Sequence, residues 1–191
     1  IIHIDPWKRL PDFSDGLKKT IEYINFIYDI NPSVKFEVGT EEAIRHFSSD
    51  ELEKLLQDLE KQLKPQVFDN ILYAVVQSGV GLDLGEQRNT GTFSESRLKE
   101  MVSVCHKFNL RSKEHNGDYL TPEGIKRRFD SGLDSLNIAP EFGQIETSCY
   151  LNAIENIEDW YKICLESKRW EKWVSPDFIP EENKKKLIKI C

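Results

Sequence analysis

Five short apolar runs, each followed by a stretch with the 3.6-residue period of a helix, set the tightest limit on what this chain folds into. Ile1-Ile2-His3-Ile4-Asp5 is β-branched and closed by Pro6; Leu17, Ile21, Ile24 and Ile27 then recur at helical spacing behind the start signal Ser14-Asp15-Gly16. Val34 to Glu41 is the second run. Ser48 with Glu51 makes a capping box ahead of Leu52, Leu55, Leu56, Leu59 and Leu63, which share one helix face. Asn70 to Ser78 is the third run, and Thr92 with Glu95 reads as the cap of a helix that buries Leu98, Met101, Val102 and Cys105. Leu110 to Glu114 is the fourth, with Thr121-Pro122 opening a helix that presents Ile125 and Phe129. Leu133 to Ile138 is the fifth. A single long helix is expected from about Ile145 to Glu166, followed by a Trp-rich segment and Lys184-Lys185-Lys186.

Strands that alternate with helices and are apolar on both faces predict an α/β fold with a parallel sheet under helices. No linker, repeat or low-complexity tract divides residues 1–191, so one domain is expected. Two closures fit such a chain, an open doubly wound sheet or a (β/α)8 TIM-type barrel, and a complete barrel takes about 250 residues. The reading is therefore a partial barrel of five parallel strands, the C-terminal part of a larger barrel, with its N-terminal strands upstream of residue 1.

Composition narrows the partners. Asp and Glu number 33 against 26 Lys and Arg, a net charge of −7, which argues against nucleic acid or an anionic membrane. No apolar run approaches a membrane span and no secretory signal opens the chain. Cys105, Cys149, Cys164 and Cys191 are scattered without a C-x-x-C pair, so neither a zinc knuckle nor a disulfide framework is indicated. Three of them are expected as small buried thiols, and a cytoplasmic setting follows.

In a parallel barrel the carboxyl ends of the strands face the site. Those ends read His3 and Asp5; Gly39, Thr40 and Glu41; Gln77, Ser78 and Gly79; Glu114, His115 and Asp118; Asn137, Pro140 and Glu141. The densest is Lys113-Glu114-His115-Asn116-Gly117-Asp118-Tyr119, where four groups that ligate metal or move protons crowd one strand-to-helix loop. The plain alternative is a polar turn with a capping Asp and a solvated His. Carboxylate and amide oxygens with an imidazole suit Mg²⁺, Mn²⁺ or catalytic Zn²⁺. Gly79 to Gly85 looks like a dinucleotide loop but lacks the helix that would bind phosphate, although Arg88 and Asn89 behind it suit an anion. His46 and His106 read as helix-surface residues, and Trp160, Trp170 and Trp173 as packing anchors.

The order Ile-His-Ile-Asp, Val-Gly-Thr-Glu, Val-Val-Gln-Ser-Gly-Val, Glu-His-Asn-Gly-Asp-Tyr-Leu-Thr-Pro and Asn-Ile-Ala-Pro-Glu resembles the tagatose-bisphosphate aldolase non-catalytic subunit family, with its ketose and ketose-phosphate 4-epimerase-like members. The resemblance runs from residue 1 to about residue 160. It implies a barrel whose fourth strand is residues 1–5 and whose Gly-Gly-Asp-His motif lies upstream. It also implies site roles for Asp5, Glu41, Gln77, His115 and Asp118. On this basis His115 and Glu41, with Asp5 or Gln77, are the expected metal ligands. Glu114 or Asp118 is the acid/base group, and Tyr119 a catalytic hydroxyl. Gly39, Thr40, Ser78, Gly79, Arg88, Asn137 and Glu141 are the expected substrate contacts. The chain departs from the family at Asn116-Gly117, where Ser-Thr is usual. It departs again at Asn137 to Gly143, where a Lys is absent and Glu141 present, which makes that strand end less suited to a phosphate. The expected activity is metal-assisted epimerisation or aldol-type cleavage of a ketose, ketose phosphate or related sugar acid. The alternative is a non-catalytic subunit that stabilises an aldolase partner.

Overall fold

In a computed structural model, which describes all 191 residues, the five apolar runs become strands β1 (Ile2–Ile4), β2 (Phe36–Val38), β3 (Ile71–Val76), β6 (Arg111–Glu114) and β7 (Ser135–Leu136). They pair in that order and all in parallel. Between β3 and β6 the glycine-rich loop folds into a small antiparallel ribbon of β4 (Leu82–Asp83) and β5 (Arg88–Asn89). The strands are shorter than their apolar runs because the flanking residues turn; Gly39, with φ at +119°, ends β2.

Side chains alternate across a strand. Ile4, Phe36, Val38, Ala74 and Val76 point to one face, where they meet Leu52, Leu55, Leu56 and Leu59 of α2 (Ser49–Gln62) and Leu98, Met101 and Cys105 of α4 (Glu95–Lys107). Helix α1 (Phe13–Ile30) and the single turn α3 (Pro65–Phe68) close the same layer. This is the (β/α)-barrel arrangement carried through five strands. The opposite face receives His3, Glu37, Tyr73, Val75 and Lys113.

The Ser48–Glu51 capping box is present on α2. Elsewhere the caps differ from the sequence reading. Asp12, not the Ser14 signal, caps α1 through the amides of Ser14 and Asp15. Ser94, not Thr92, caps α4, because the Thr92 carbonyl is packed against Gly79: a Cβ at Gly79 would stand 1.9 Å from it. The single helix expected over 145–166 is two, α6 (Pro140–Ala153) and α7 (Glu158–Ser167). Ile154 turns extended and the Asn156 carboxamide accepts from the Glu158 amide at 3.0 Å, starting a new helix. With α8 (Lys184–Ile190) these build a second core from Leu151, Tyr161, Cys164, Leu187 and Ile188, against which Trp160 and Trp170 pack. Two cysteines, not three, are buried: Cys105 and Cys164. His106 stays on α4 and meets Asp134, whereas His46 lies in the turn before α2. No helix is long and apolar enough to cross a membrane.

In α5 (Pro122–Asp130), capped by Thr121, Phe129 is exposed and the residue turned inward is Arg128. Its Nε donates to Glu114 at 2.6 Å, and both side chains are almost wholly buried. Removing one member of such a pair strands the other's charge, a cost of roughly 3–5 kcal/mol. Arg128→Met should therefore lower the melting temperature by roughly 10 °C, at 2–4 °C per kcal/mol for this chain length. A shift below about 2 °C in a calorimetric scan would refute the pair as a structural tie.

Candidate functional site

Strand parity brings together residues that lie far apart in sequence. His3 of β1, Glu37 of β2 and His115, just beyond β6, present ligand atoms within 4.8 Å of one another. His3 Nε2 lies 3.2 Å from the Gly39 carbonyl, which can only accept, so Nε2 is the donor. The His3 and His115 rings lie 4.9 Å apart, tilted. His115 Nε2 is hydrogen-bonded to Glu37 Oε1, and its Nδ1 stands 3.3 Å from Glu41 Oε1. Lys113 Nζ donates to the other Glu37 oxygen at 2.6 Å.

Two carboxylates on one imidazole define the electrostatics. Burial alone would lower the His115 pKa, but Glu37 and Glu41 outweigh it and raise it to about 9. Burial likewise opposes ionisation of Glu37, yet the hydrogen bonds from His115 and Lys113 bring its carboxyl down to about 2. His115 thus stands as a cation between two anions. Two imidazole nitrogens and a carboxylate, with positions left open, suit Zn²⁺ or Mn²⁺ better than Mg²⁺. With Nε2 as ligand, the Nδ1 contact makes Glu41 the carboxylate that orients the ring.

A pH dependence follows. The folded pKa of His115 lies above its usual 6.5, so its contribution is complete below pH 6.5 and is lost as pH rises through 9. That of Glu37 lies below 4.5, so its contribution is complete above pH 4.5 and is lost as pH falls through 2. Urea titrations of metal-free protein should show this stabilisation intact between those limits, with about 3 kcal/mol lost above about pH 9. Saturating Zn²⁺ should abolish the alkaline loss, since ligation requires the deprotonated ring. A metal-free profile that stays level from pH 6.5 to 9 would contradict the ion pair.

Of the cluster, His115 reaches a cleft of about 620 Å³, bordered also by Trp7, Lys8, Glu41, Asn116, Asp118, Asn137, Lys172 and Trp173 among others. Asp118 is 1 % exposed. One of its oxygens accepts from the amides of Ala139 and Glu141, at 3.0 and 2.8 Å, and thereby starts α6. The other, Oδ2, has no partner. Burial raises the Asp118 pKa despite the two amides.

Other strand-end residues are occupied elsewhere. Gln77 is not in the cluster: its amide accepts from Phe47 N and donates to the Thr40 and Arg45 carbonyls, holding the loop after β2. Asp5 likewise stands apart, accepting from Trp7 N at 3.2 Å and from the Thr40 hydroxyl at 3.0 Å. Glu114 faces the helices, where Ser78 and Arg128 take its oxygens, because it has the opposite parity to Lys113 and His115. It cannot reach the cleft. Tyr119 gives its hydroxyl to Gln144 and its amide to Glu141, and burial lifts its pKa to about 12. Glu141 is thus used within the loop. Gly39 and Gly79 take positive φ, and the Gly79 amide donates to Glu42 at 2.8 Å. Arg88 is exposed on β5 and does not border the cleft, while neighbouring Asn89 donates to the Asn116 and Asp118 carbonyls.

The strand-end reading missed His3 as a ligand and Glu37 altogether. Glu37 sits in mid-strand between Phe36 and Val38 and is 1 % exposed. The available signal was a carboxylate inside an apolar strand, which is costly to bury unpaired.

Fold and site together define a parallel α/β protein of the barrel type with a His/Glu/His cluster on the face of its sheet opposite the helices. No protein-family model matches the sequence, and no curated protein matches it either. Among solved structures, the fructuronate-tagaturonate epimerase UxaE from Cohnella laeviribosi, determined with glycerol, superposes with a TM-score of 0.52 and 13% identity, over 90% of this chain and 37% of that one. The YdjI aldolase from Escherichia coli K12 gives a TM-score of 0.49 and 11% identity, over 94% of this chain and 52% of that one. At such identity the likeness is one of fold. The chain spans about half, or less, of the structures it matches.

Proposed function

We propose that the chain is the later part of a larger barrel enzyme that binds a divalent metal and acts on an open-chain ketose or a related sugar phosphate or sugar acid. The reaction class is epimerisation or aldol-type cleavage. The observation that carries this reading is the convergence of His3, Glu37 and His115 beside a cleft that also contains Asp118 with an unpartnered oxygen. The fold likeness to an epimerase of sugar acids is in keeping with it.

His3, Glu37 and His115 would hold the ion, with Glu41 orienting His115. When bound, such an ion polarises a substrate carbonyl as a Lewis acid. Asp118 is the acid/base group: it borders the cleft, its burial favours the protonated form, and its buried Oδ2 has no hydrogen-bond partner to hold the proton elsewhere. Asn137 and Asn116 border the cleft and offer amide contacts to hydroxyls. Trp7 and Trp173 wall it against water.

Metal titration tests the reading. One Zn²⁺ or Mn²⁺ should bind per chain, and ketose turnover followed by NMR should require it. A protein that binds no divalent ion yet associates with an aldolase would be the non-catalytic subunit instead.

A further inference from the structure

Two cationic side chains at the mouth of the cleft, and two more in the groove beside it, lack a carboxylate partner. Lys8, in the turn after β1, and Lys172, in the 3-10 turn Glu171–Trp173, both border the cleft that holds His115. The same two, with Lys168 and Arg169, border an adjoining groove of about 660 Å³ whose one acid is Glu171. None of the four forms an ion pair, whereas Lys19, Lys54, Lys99, Lys107, Lys113 and Lys126 each do. In a chain of net charge −7 this local surplus of cations is not a matter of composition.

The arrangement carries a cost. Lys172 lies 4.2 Å from the Trp173 ring centre. Burial, and then the nearby Lys8, make its ammonium easier to deprotonate. Four like charges that form no ion pair, with only Glu171 in the groove and Glu41 nearby, repel one another, and an anion bound among them relieves that repulsion. The groove also adjoins the cluster closely. Glu41, which contacts His115, is near enough to act on Lys172 as well.

We infer that Lys8 and Lys172, backed by Lys168 and Arg169, form a subsite for a terminal oxyanion of the sugar, a phosphate or a carboxylate, whose carbonyl end reaches the His3–Glu37–His115 cluster. The inference rests on the sugar reading of the cleft and deepens it: the substrate is anionic at the end remote from the reacting carbonyl. Two ammonium groups recognise either oxyanion, and the extra cations of the groove accommodate a second charge.

Calorimetric titration of the whole chain, loaded with Zn²⁺, against fructose, fructuronate, fructose 6-phosphate and inorganic phosphate tests it. Fructuronate or fructose 6-phosphate should bind at least about tenfold tighter than fructose, the worth of one or two charge-assisted hydrogen bonds. Whichever of the two binds more tightly names the oxyanion. Lys8→Gln and Lys172→Gln should each collapse that ratio about tenfold, and added NaCl should erode it. Both lysines are exposed, so far-ultraviolet melts of the variants should match the parent. Equal binding of charged and neutral sugars, or a ratio that survives both substitutions, overturns the subsite and leaves the sugar reading standing. If no sugar binds, but inorganic phosphate binds and Lys172→Gln abolishes it, the sugar reading falls and the anion subsite is upheld.

Discussion

Replacing His115 with alanine is expected to strip the divalent ion from the protein. A residue that merely orients a ligand is worth about ten- to hundredfold in metal affinity. Loss of a direct nitrogen ligand should exceed that, and turnover should fall with it. The variant also has a signature that an ordinary surface histidine would not show. In metal-free protein His115 ties Glu37 to Glu41, so the alanine variant should be less stable than the parent below pH 6.5 and nearly equal to it above about pH 9. Glu41→Ala should weaken the metal by only the smaller factor, since Glu41 reaches the ring and not the cluster atoms. If His115→Ala keeps full metal content and turnover, the cluster is not the site and the non-catalytic reading becomes the better one.

Asp118→Asn is expected to lower turnover by about 10²- to 10⁴-fold, the usual contribution of a positioned acid/base group. The change is nearly isosteric. The asparagine carbonyl can still accept from the Ala139 and Glu141 amides, so the start of α6 and the cleft shape are kept. Metal affinity should stay within about twofold, because Asp118 is outside the cluster. Unchanged turnover in Asp118→Asn, with the same metal bound, would remove Asp118 from the chemistry. Together the two variants separate binding the ion from moving the proton.

The resemblance to a family with both catalytic and non-catalytic members rests on short motifs at successive strand ends. The structure explains why some of those residues recur in the reading without sharing one role. Gln77 satisfies three buried backbone groups of a neighbouring loop, and Glu114 anchors α5 through Arg128. Both lie at the carboxyl edge of the sheet, yet neither faces the cleft with a free atom. Position along a strand thus identifies the edge where a site is built, and parity decides which residues enter it.

The sequence by itself determined the five βα units, the parallel sense of their strands and the edge where polar residues gather. Each of those is written in local signals: β-branched runs, a 3.6-residue period, the Ser48–Glu51 capping box, the Thr121-Pro122 start. Only the tertiary structure decided that His3, Glu37 and His115 meet, that Glu114 turns to Arg128, and that one expected helix breaks at Ile154. His3 and Glu37 are adjacent because β1 and β2 pair in register, and Glu37 joins His115 across β3. Such contacts span dozens of residues and depend on strand register and on which face each side chain takes. A one-residue slip would send Glu37 into the helix layer and Phe36 onto the face that carries the histidines. That choice is made by the packing of Phe36, Val38, Ala74 and Val76 against the helices, an energy that belongs to the whole sheet and to no single segment.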